Sequence, residues 1–494
     1  MSDLHFLPAA ELCRLLAAGE VSSVELLDHF LARVDEVGGP LNAVVALDAE
    51  RARQRATEAD EAHARGSRWG PLHGLPMTVK DAFETEGLVT TSGAPELSGH
   101  VPTTDAVAVA RLKAAGAVVF GKTNLPLYAG DMQTYNEVYG RTNNPWALDR
   151  TAGGSSGGSA AALAAGLTGF EVGSDIGGSI RNPAHFCGVF GLKVTWGTIP
   201  ARGHIPGPPG TLANVDVGTF GPMGRSAADL ALGLDVLVGP DVLDGVGWRL
   251  DLPPARNGGE LAGLRVATWF DDPFVTVAAD VRALVEGAAA ALADAGATVT
   301  SIVPPVGLGD LARSWENLVL PIMFAGLPDE TFANFAAAAD ATPPPSASAS
   351  ADSDGDRATH ALRAVAQRHR DWLRADEVRQ HHRAAFAELF RHHDVLLTPV
   401  MPTAAFPHDT EGEIASRTLD VDGVTRPYLE SLYWNGSIGA LLLPVAVPPI
   451  GLTPDGLPVG VQVIAPHLED RTAVAVAGHL ERLLGGFVPP PAFA

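Results

Sequence analysis

Apolar residues recur at helical spacing in the first part of the chain. Residues 8–18 and 22–37 each carry apolar positions three and four residues apart, and Ser22 stands three residues before a glutamate, as in a capping box. Residues 49–65 are rich in alanine and charge, which predicts a solvent-facing helix. We therefore expect residues 1–65 to form a helical wrap around the rest of the chain.

Short apolar runs, typical of buried strands, alternate with helical patterns in the remainder of the sequence. The predicted strands are residues 77–80, 117–120, 170–175, 264–269, 298–303, 395–399, 440–447 and 459–465. The predicted helices between them are residues 105–115, 159–167, 227–239, 280–295 and 471–484. This alternation predicts an α/β protein.

The middle of the chain differs in composition from its surroundings. Residues 340–356 contain mostly proline, serine, alanine and aspartate, which predicts a surface insertion without a packed core, between helical flanks. We expect one domain over residues 1–494. Its predicted parts are the wrap, a core at 66–230, a variable helical region at 305–390 and a second piece of the core at 391–494.

The overall charge narrows the partners that this surface would accept. The formal net charge is −23, which repels phosphate backbones, so we do not expect nucleic acid as a partner. The N-terminus lacks the pattern of a signal peptide, and no apolar run is long enough to span a membrane, which favours a cytoplasmic protein without a membrane partner. Cys13 and Cys187 lie in apolar contexts and are expected to be buried.

Two Gly/Ser-rich loops stand at the centre of the predicted core. The first is residues 153–159 (GGSSGGS) and the second is residues 177–179 (GGS). Such a composition also occurs in flexible linkers, but apolar core segments flank both loops, which argues against a linker here. Glycines beside a serine allow several backbone N–H groups to converge on one point, which is the geometry of an oxyanion hole.

Three kinds of nucleophile fit these residues. Residues 153–157 match G-x-S-x-G, the serine motif of Ser-His-Asp hydrolases, although the downstream histidines stand in the wrong context. A serine activated by a buried neutral lysine is the second, with Lys80 as the candidate base. Cys187 is the third, but it has no base nearby in the sequence. Spacing alone does not choose among them.

Two further patterns suggest other chemistry. Residues Gly116–Thr123 match the spacing of a phosphate-binding P-loop, which would make the protein a nucleotide-binding protein. The residues before Gly116 are helical and those after it form a predicted strand, the opposite of the order that a P-loop needs. The histidine pairs at 381–382 and 392–393 lack the spacing of helical metal ligands, so we expect no metal site.

Several longer motifs resemble the amidase signature family. The resemblance spans nearly the whole chain and is weakest from about 305 to 390. The matching segments are Lys80-Asp81, GKTN at 121–124, NPW at 144–146, GGSSGGS at 153–159, GSDIGGSIR at 173–181, FCGVFGLK at 186–193, GPMGRS at 221–226 and PDGLPVGVQV at 454–463. It implies a large mixed β-sheet covered by α-helices on both sides.

The resemblance also implies a Ser-cisSer-Lys triad. The nucleophile would be Ser179, the bridging serine held by a cis peptide would be Ser155, and the base would be Lys80. The oxyanion hole would comprise the backbone N–H groups around Ile176, Gly177, Gly178 and Ser179. Asp175 and Arg181, which flank the nucleophile, would hold the loop.

The implied reaction is hydrolysis of a carboxylic amide to an acid and an amine, without a cofactor. Aryl-acylamides, esters and carbamates are accessible to the same serine. The implied partner is a small-molecule amide, and family members are often homodimers. The family also contains the glutaminase component of tRNA-dependent amidotransferases, which is the alternative function.

The sequence departs from common family patterns beside the expected site. Leu127-Tyr128 replaces the Glu-Phe that many members carry after GKTN, and Val194-Thr195 replaces a frequent Pro-Thr. The expected substrate-binding residues are Ala129, Gly130, Met132 and Ser155. Two of them are small, which predicts room for a bulky or aromatic group.

Overall fold

Two runs of the chain, residues 4–342 and 354–494, are described by the structure, which is a computed structural model. Most of the predicted low-complexity insertion at 340–356 lies outside the described residues.

The helices begin and end close to the predicted positions. They are Ala9–Ala18 (α1), Ser23–Val37 (α2), Ala49–Ala64 (α3), Val107–Ala114 (α4), Gly157–Ala164 (α5), Arg181–Cys187 (α6), Ala227–Leu237 (α7), Ala279–Asp294 (α8), Leu308–Met323 (α9), Asp329–Ala341 (α10), Asp354–Val365 (α11), His369–His392 (α12), Tyr433–Ala440 (α13) and Asp470–Leu484 (α14).

The strands form one large sheet and several small ones. They are Val44–Leu47 (β1), Pro76–Lys80 (β2), Val118–Thr123 (β3), Tyr135–Asn136 (β4), Gly140–Arg141 (β5), Asn143–Asn144 (β6), Ala147–Thr151 (β7), Glu171–Asp175 (β8), Phe190–Lys193 (β9), Thr219–Gly224 (β10), Arg265–Thr268 (β11), Thr298–Ser301 (β12), Val395–Pro399 (β13), Thr418–Val421 (β14), Val424–Pro427 (β15), Val445–Val447 (β16), Pro449–Leu452 (β17) and Pro458–Ile464 (β18).

The large sheet of the described chain has the order β12-β11-β13-β18-β16-β9-β10-β8, with β17 paired to β18. Strands β12, β11 and β13 run parallel, and the other neighbours pair antiparallel. The sheet is therefore mixed, and helices α6 and α14 both pack on β18. The α/β fold with a large mixed sheet is confirmed.

A smaller sheet carries Lys80 to the large one. It has the order β1-β3-β2, in which β2 and β3 are parallel and Lys80 lies opposite Thr123. Strand β2 also contacts β8, the edge strand of the large sheet. The end of β2 and the end of β8 therefore meet, which brings Lys80 close to the loop that follows β8.

Serine caps fix the starts of two helices as the sequence predicts. The Ser22 hydroxyl accepts a hydrogen bond from the Glu25 amide at 3.1 Å, and the Glu25 carboxylate accepts one from the Ser22 amide at 2.9 Å. The Ser226 hydroxyl accepts a bond from the Asp229 amide at 3.0 Å. Each cap satisfies an amide that lacks a partner within its own helix.

The predicted strand at residues 440–447 is wrong in its first half. Helix α13 extends to Ala440, and only Val445–Val447 is a strand. Between them Leu442 has a positive φ of 63°, and Pro444 has no N–H to donate to a neighbouring strand. A continuous apolar run does not reveal this break, because buried helices and buried strands are equally apolar.

Two helical predictions also need correction. The helix predicted to face solvent, α3, buries an alanine stripe formed by Ala52, Ala56, Ala59 and Ala62. Small side chains three and four residues apart let its backbone approach the core closely. The helical pattern predicted after residue 357 is divided between α11 and α12.

One cluster of contacting buried apolar residues extends from Ala9 to Phe493. A second, smaller cluster joins α9, α12 and α13 through Trp315, Leu318, Ala375 and Ala440. In the described chain, no helix is both long enough and apolar enough to cross a bilayer.

Gly221 on β10 provides a test of this packing. An added Cβ there would overlap the backbone carbonyl oxygen of Leu192 on β9. We expect Gly221→Ala to lower the melting temperature strongly, because neither backbone can move without breaking the sheet. A thermal unfolding scan measures this.

The matched control is Gly287→Ala in α8. A Cβ at Gly287 meets nothing within 4 Å, and alanine favours a helix by roughly 1 kcal/mol over glycine. Gly287→Ala should therefore leave the melting temperature unchanged or raise it. Equal melting temperatures for the two variants would contradict the packing described here.

Candidate active site

Lys80 lies at the end of β2 with its side chain completely buried. Its Nζ atom lies 2.6 Å from the Ser155 Oγ, 3.0 Å from the Ser156 Oγ and 2.9 Å from the Ser174 Oγ. The lysine is thus enclosed by three hydroxyl groups. Ser155 is the residue that the sequence analysis expected beside Lys80, whereas the contact with Ser174 was not expected.

Burial changes the acidity of this lysine. Removal from water disfavours the ammonium form and lowers the pKa of Lys80 to about 7, against the smaller opposing effects of the Asp175 and Glu171 charges. The same burial raises the pKa of Glu171 to about 7, although hydroxyl groups of Thr78 and Thr123 donate to its carboxylate. Lys80 therefore holds a substantial neutral fraction near pH 7.

The two Gly/Ser loops meet beside Lys80. The peptide between Gly154 and Ser155 is cis, and the Ser156 amide donates a hydrogen bond to the Ser179 carbonyl at 3.0 Å. Ser155 is completely buried, whereas Ser179 is 9% exposed. Of these two serines, Ser179 is the one that a molecule arriving from solvent can reach.

Asp175 and Arg181 brace the second loop. Their ion pair has a 2.7 Å separation, and both side chains are fully excluded from solvent. The Asp175 carboxylate also accepts the amides of Gly178 at 2.9 Å and Ile180 at 3.1 Å. Burial opposes the charged form, but Arg181 and these donors outweigh it and lower the pKa of Asp175 to about 2. Arg181 in turn donates to Gln462 of β18, which ties the loop to the large sheet.

One of the four amides expected in the oxyanion hole is already used. The Gly178 N–H donates to the Asp175 carboxylate, so it is directed at the brace. The prediction that Gly178 contributes an oxyanion donor therefore needs correction for this conformation. The Asp175 carboxylate does not take up the amides of Ile176, Gly177 and Ser179.

Helices α9 and α13 form a wall of the loop that the sequence analysis missed. The Trp315 indole N–H donates to the Ile176 carbonyl at 3.1 Å. Asn435 on α13 packs against Gly178 so closely that a Cβ there would lie 2.7 Å from the Asn435 side chain. Trp315 belongs to the region where the family resemblance is weakest, so no motif pointed to it.

The expected substrate-binding residues occupy different depths. Ala129 and Gly130 are partly exposed, and Ala129 has a positive φ of 58°. Met132 is 5% exposed, and its sulfur accepts a hydrogen bond from Ser431 at 3.1 Å. The backbone at Met132 packs against Gly154, next to Ser155.

A second buried ion pair stands beside Met132. Asp131 and Arg417 are 2.7 Å apart, with side chains 4% and 3% exposed. The hydroxyl of Tyr428 donates to Asp131 at 2.7 Å, and Arg417 donates to the hydroxyl of Tyr135 at 2.8 Å. Because these residues are scattered from 131 to 428 in the sequence, spacing gave no sign of the cluster.

The other nucleophile systems fit the structure less well. The Ser156 hydroxyl contacts the Lys80 amine, whereas the Ser-His-Asp hypothesis required an imidazole there. Cys187 is completely buried, its thiol faces the Ala152 carbonyl at 3.4 Å, and burial raises its pKa. Cys13 is buried as well, as predicted.

The P-loop hypothesis is contradicted by local structure. Strand β3 occupies Val118–Thr123, and a short 3-10 helix, Leu127–Ala129, follows in place of the required α-helix. The Lys122 ammonium donates to the Phe83 carbonyl and to the Thr85 hydroxyl, inside the protein. A nucleotide phosphate has no access to it.

Within residues 4–342 and 354–494, no three His, Cys, Asp or Glu side chains are grouped to hold a metal ion. His381 and His392 lie on exposed turns of α12, where each faces a glutamate one turn earlier.

Comparison with known proteins gives the class of this chain. A model of the Amidase family matches residues 25–474, so the chain belongs to the amidase family, whose members are hydrolases of C–N amide bonds.

Similar proteins cover almost the whole chain. It is 36% identical to the GatA-type component of glutamyl-tRNA(Gln) amidotransferase from Anaeromyxobacter sp. (strain K), over 98% of its own length and 99% of the relative. It is 33% identical to an acylamidase of Rhodococcus erythropolis over 97% and 96% of the two chains. The structure of a bacterial aryl acylamidase of the amidase signature family superposes with a TM-score of 0.78, at 25% identity over 99% and 98% of the chains. The predicted family and amidase activity are confirmed.

The Asp175 brace gives a stability prediction. We expect Asp175→Asn to lower the free energy of unfolding by about 3–5 kcal/mol, because the buried Arg181 charge loses its partner. Urea unfolding measures this. Asp310→Asn is the control, because its pair with Arg313 is exposed and such pairs are worth less than about 1 kcal/mol. A similar loss in both variants would contradict the bracing role.

Proposed function

We propose that this amidase works through an acyl-enzyme on Ser179, with Lys80 as the base and Ser155 as the proton relay. The observation that carries the proposal is the buried Lys80 amine, 2.6 Å from the Ser155 hydroxyl and with a pKa of about 7. No histidine is needed, because a neutral amine of this pKa accepts a proton from a hydroxyl near neutral pH.

The contacts of Lys80 suit a neutral amine. An ammonium group donates three hydrogen bonds and accepts none, whereas a neutral amine has two N–H donors and one lone pair. Lys80 has three hydroxyl partners, of which Ser155 is the nearest. In the proposed ground state Ser156 and Ser174 accept from Lys80, and Ser155 donates to its lone pair.

The proposed first step forms an ester and breaks the amide bond. Lys80 takes the Ser155 proton, Ser155 takes the Ser179 proton, and the Ser179 oxygen attacks the carbonyl carbon of the substrate. When the tetrahedral intermediate collapses, Ser155 delivers a proton to the leaving nitrogen. Lys80 returns its proton to Ser155, and the amine departs.

The second step regenerates the enzyme with water as the nucleophile. The same two groups accept a proton from water, the hydroxyl attacks the acyl carbon, and the proton goes to Ser179 as the acid leaves. In both steps the substrate oxygen becomes negatively charged. The amides of Ile176, Gly177 and Ser179 are the proposed donors to that oxyanion.

We infer aryl-acylamides as the substrate class to test first. The pocket residues Ala129 and Gly130 are small and partly exposed, which leaves space for a ring beside Ser155. Two proteins similar to this chain are an acylamidase and an aryl acylamidase. Linear amides, esters and carbamates are within reach of the same chemistry.

The alternative is the glutaminase component of a tRNA-dependent amidotransferase. A relative from such an enzyme shares 36% identity over nearly the whole chain, so the sequence is close to both groups. In that role the chain would release ammonia from glutamine and act with partner chains. Ammonia release from glutamine in the presence of glutamyl-tRNA, without hydrolysis of an anilide, would favour this alternative.

A single domain, a cytoplasmic location and a homodimer remain predictions. The cluster of buried apolar residues from Ala9 to Phe493 supports one domain over the chain. Sedimentation of the purified protein would measure its oligomeric state.

The nucleophile can be identified with a fluorophosphonate probe. We expect one covalent adduct, on Ser179, because this serine is both reachable and next to the relay. Peptide mapping by mass spectrometry locates the adduct. In Lys80→Met the labelling rate should fall at least about a hundredfold, because the relay loses its base.

Two results would contradict this mechanism. One is an adduct on Ser156, which would favour the G-x-S-x-G nucleophile. The other is full labelling of Ser179 in Lys80→Met. Arg391→Gln serves as the control, since it removes a basic side chain that is 74% exposed on α12.

The activity should also depend on pH in a defined direction. Below about pH 7 Lys80 becomes protonated and loses its lone pair, so kcat/KM should fall toward acid with a midpoint near 7. Because Glu171 titrates in the same range, the midpoint belongs to the pair.

Glu171→Gln tests the assignment of this acid limb. The Glu171 charge raises the pKa of Lys80, so its removal should move the midpoint to lower pH. Asp310→Asn, which changes an exposed carboxylate, should leave the profile in place. An acid limb that does not move in Glu171→Gln would mean that another group controls it.

A further inference from the structure

Trp315 is a buried side chain of α9 that contacts the catalytic loop directly. Its side chain is 4% exposed, and its indole N–H donates to the carbonyl oxygen of Ile176 at 3.1 Å. Helix α9 lies more than 130 residues after that loop in the sequence. The contact therefore links the variable part of the chain to the predicted oxyanion hole.

Peptide geometry converts this contact into an orientation. In a planar trans peptide the carbonyl oxygen of one residue and the N–H of the next point in opposite directions. The Ile176 carbonyl is directed at Trp315. The Gly177 N–H must then point away from Trp315, and it cannot turn unless this hydrogen bond breaks.

Two glycines hold the indole ring in place. A Cβ at Gly177 would lie 2.9 Å from Cζ2 of Trp315, and a Cβ at Gly436 would lie 2.6 Å from the ring carbons. Helix α13, which carries Gly436, is also joined to α9 by a 2.8 Å hydrogen bond from the Tyr433 hydroxyl to Glu316. The ring fits a slot between the catalytic loop and α13.

The neighbouring peptide is fixed by a different group. The Gly178 N–H donates to Asp175, which orients the peptide between Gly177 and Gly178. Trp315 and Asp175 thus hold consecutive peptides of the loop from different parts of the fold.

We propose that Trp315 is a positioning residue that aims the Gly177 N–H at the developing oxyanion. The inference rests on the proposed function, because it assumes that an acyl carbonyl reacts at Ser179. It predicts that Trp315 acts on the transition state and leaves substrate binding almost unchanged.

The test compares Trp315→Phe with the wild-type enzyme. Phenylalanine keeps a ring in the slot and removes the N–H. We measure kcat and KM with 4-nitroacetanilide and the rate of Ser179 phosphonylation by a fluorophosphonate, whose P=O oxygen needs the same donors. Loss of an oxyanion donor costs about a hundredfold or more, so for a misaligned donor we expect about a tenfold fall in kcat and labelling, with KM within about twofold.

A second variant avoids dependence on a single folded mutant. Gly436→Ala pushes a Cβ against the indole ring and should produce the same fall in kcat without changing Trp315 itself. The control is Trp372→Phe on α12, whose indole stacks on His369 with ring centroids 6.0 Å apart. Melting temperatures of all variants identify those that are only destabilised.

Each outcome has a defined meaning. A kcat within twofold of wild type in Trp315→Phe, a rise in KM with unchanged kcat, or an equal fall in Trp372→Phe would overturn the inference. Absence of labelling at Ser179 in the wild-type protein would instead overturn the proposed function. A selective fall in kcat and labelling in Trp315→Phe and Gly436→Ala supports the inference.

Discussion

The site depends on keeping one amine out of water. Lys80 is completely buried, and desolvation brings its pKa to about 7 even though Asp175 and Glu171 lie near enough to oppose the change. The small sheet exists in part to carry this side chain to the edge of the large sheet, where hydroxyl groups replace its water. If solvent entered this region, the amine would be protonated at neutral pH and would no longer serve as a base.

The surrounding structure supports this dry region with charge pairs of its own. Asp175 is neutralised by Arg181, and Arg181 is anchored on Gln462 of the large sheet. The loop that carries Ser179 is therefore attached to a strand near the C-terminus of the chain. Rigidity of this kind keeps reacting groups within the small tolerances that catalysis requires.

Sequence reasoning reached the fold class, the family and the residues that now surround Lys80. It did so because these residues stand in continuous motifs on each side of short strands, where local spacing and glycine content carry the information. It missed Trp315, Asn435 and Arg417, which reach the site from distant helices and loops. Nothing in a local pattern records such contacts. It also placed Gly178 in the oxyanion hole, because the motif does not reveal that Asp175 already takes its amide.

The depth of Lys80 has a chemical consequence for the lifetime of the enzyme. A neutral amine is a good nucleophile, and an acyl group transferred to its nitrogen would form an amide that water does not readily cleave. Ser155 lies 2.6 Å from that nitrogen and is itself completely buried, whereas Ser179 reaches the surface. In the proposed mechanism the hydroxyl groups pass protons inward while the acyl group stays outside. The relay would then protect the base from permanent self-acylation.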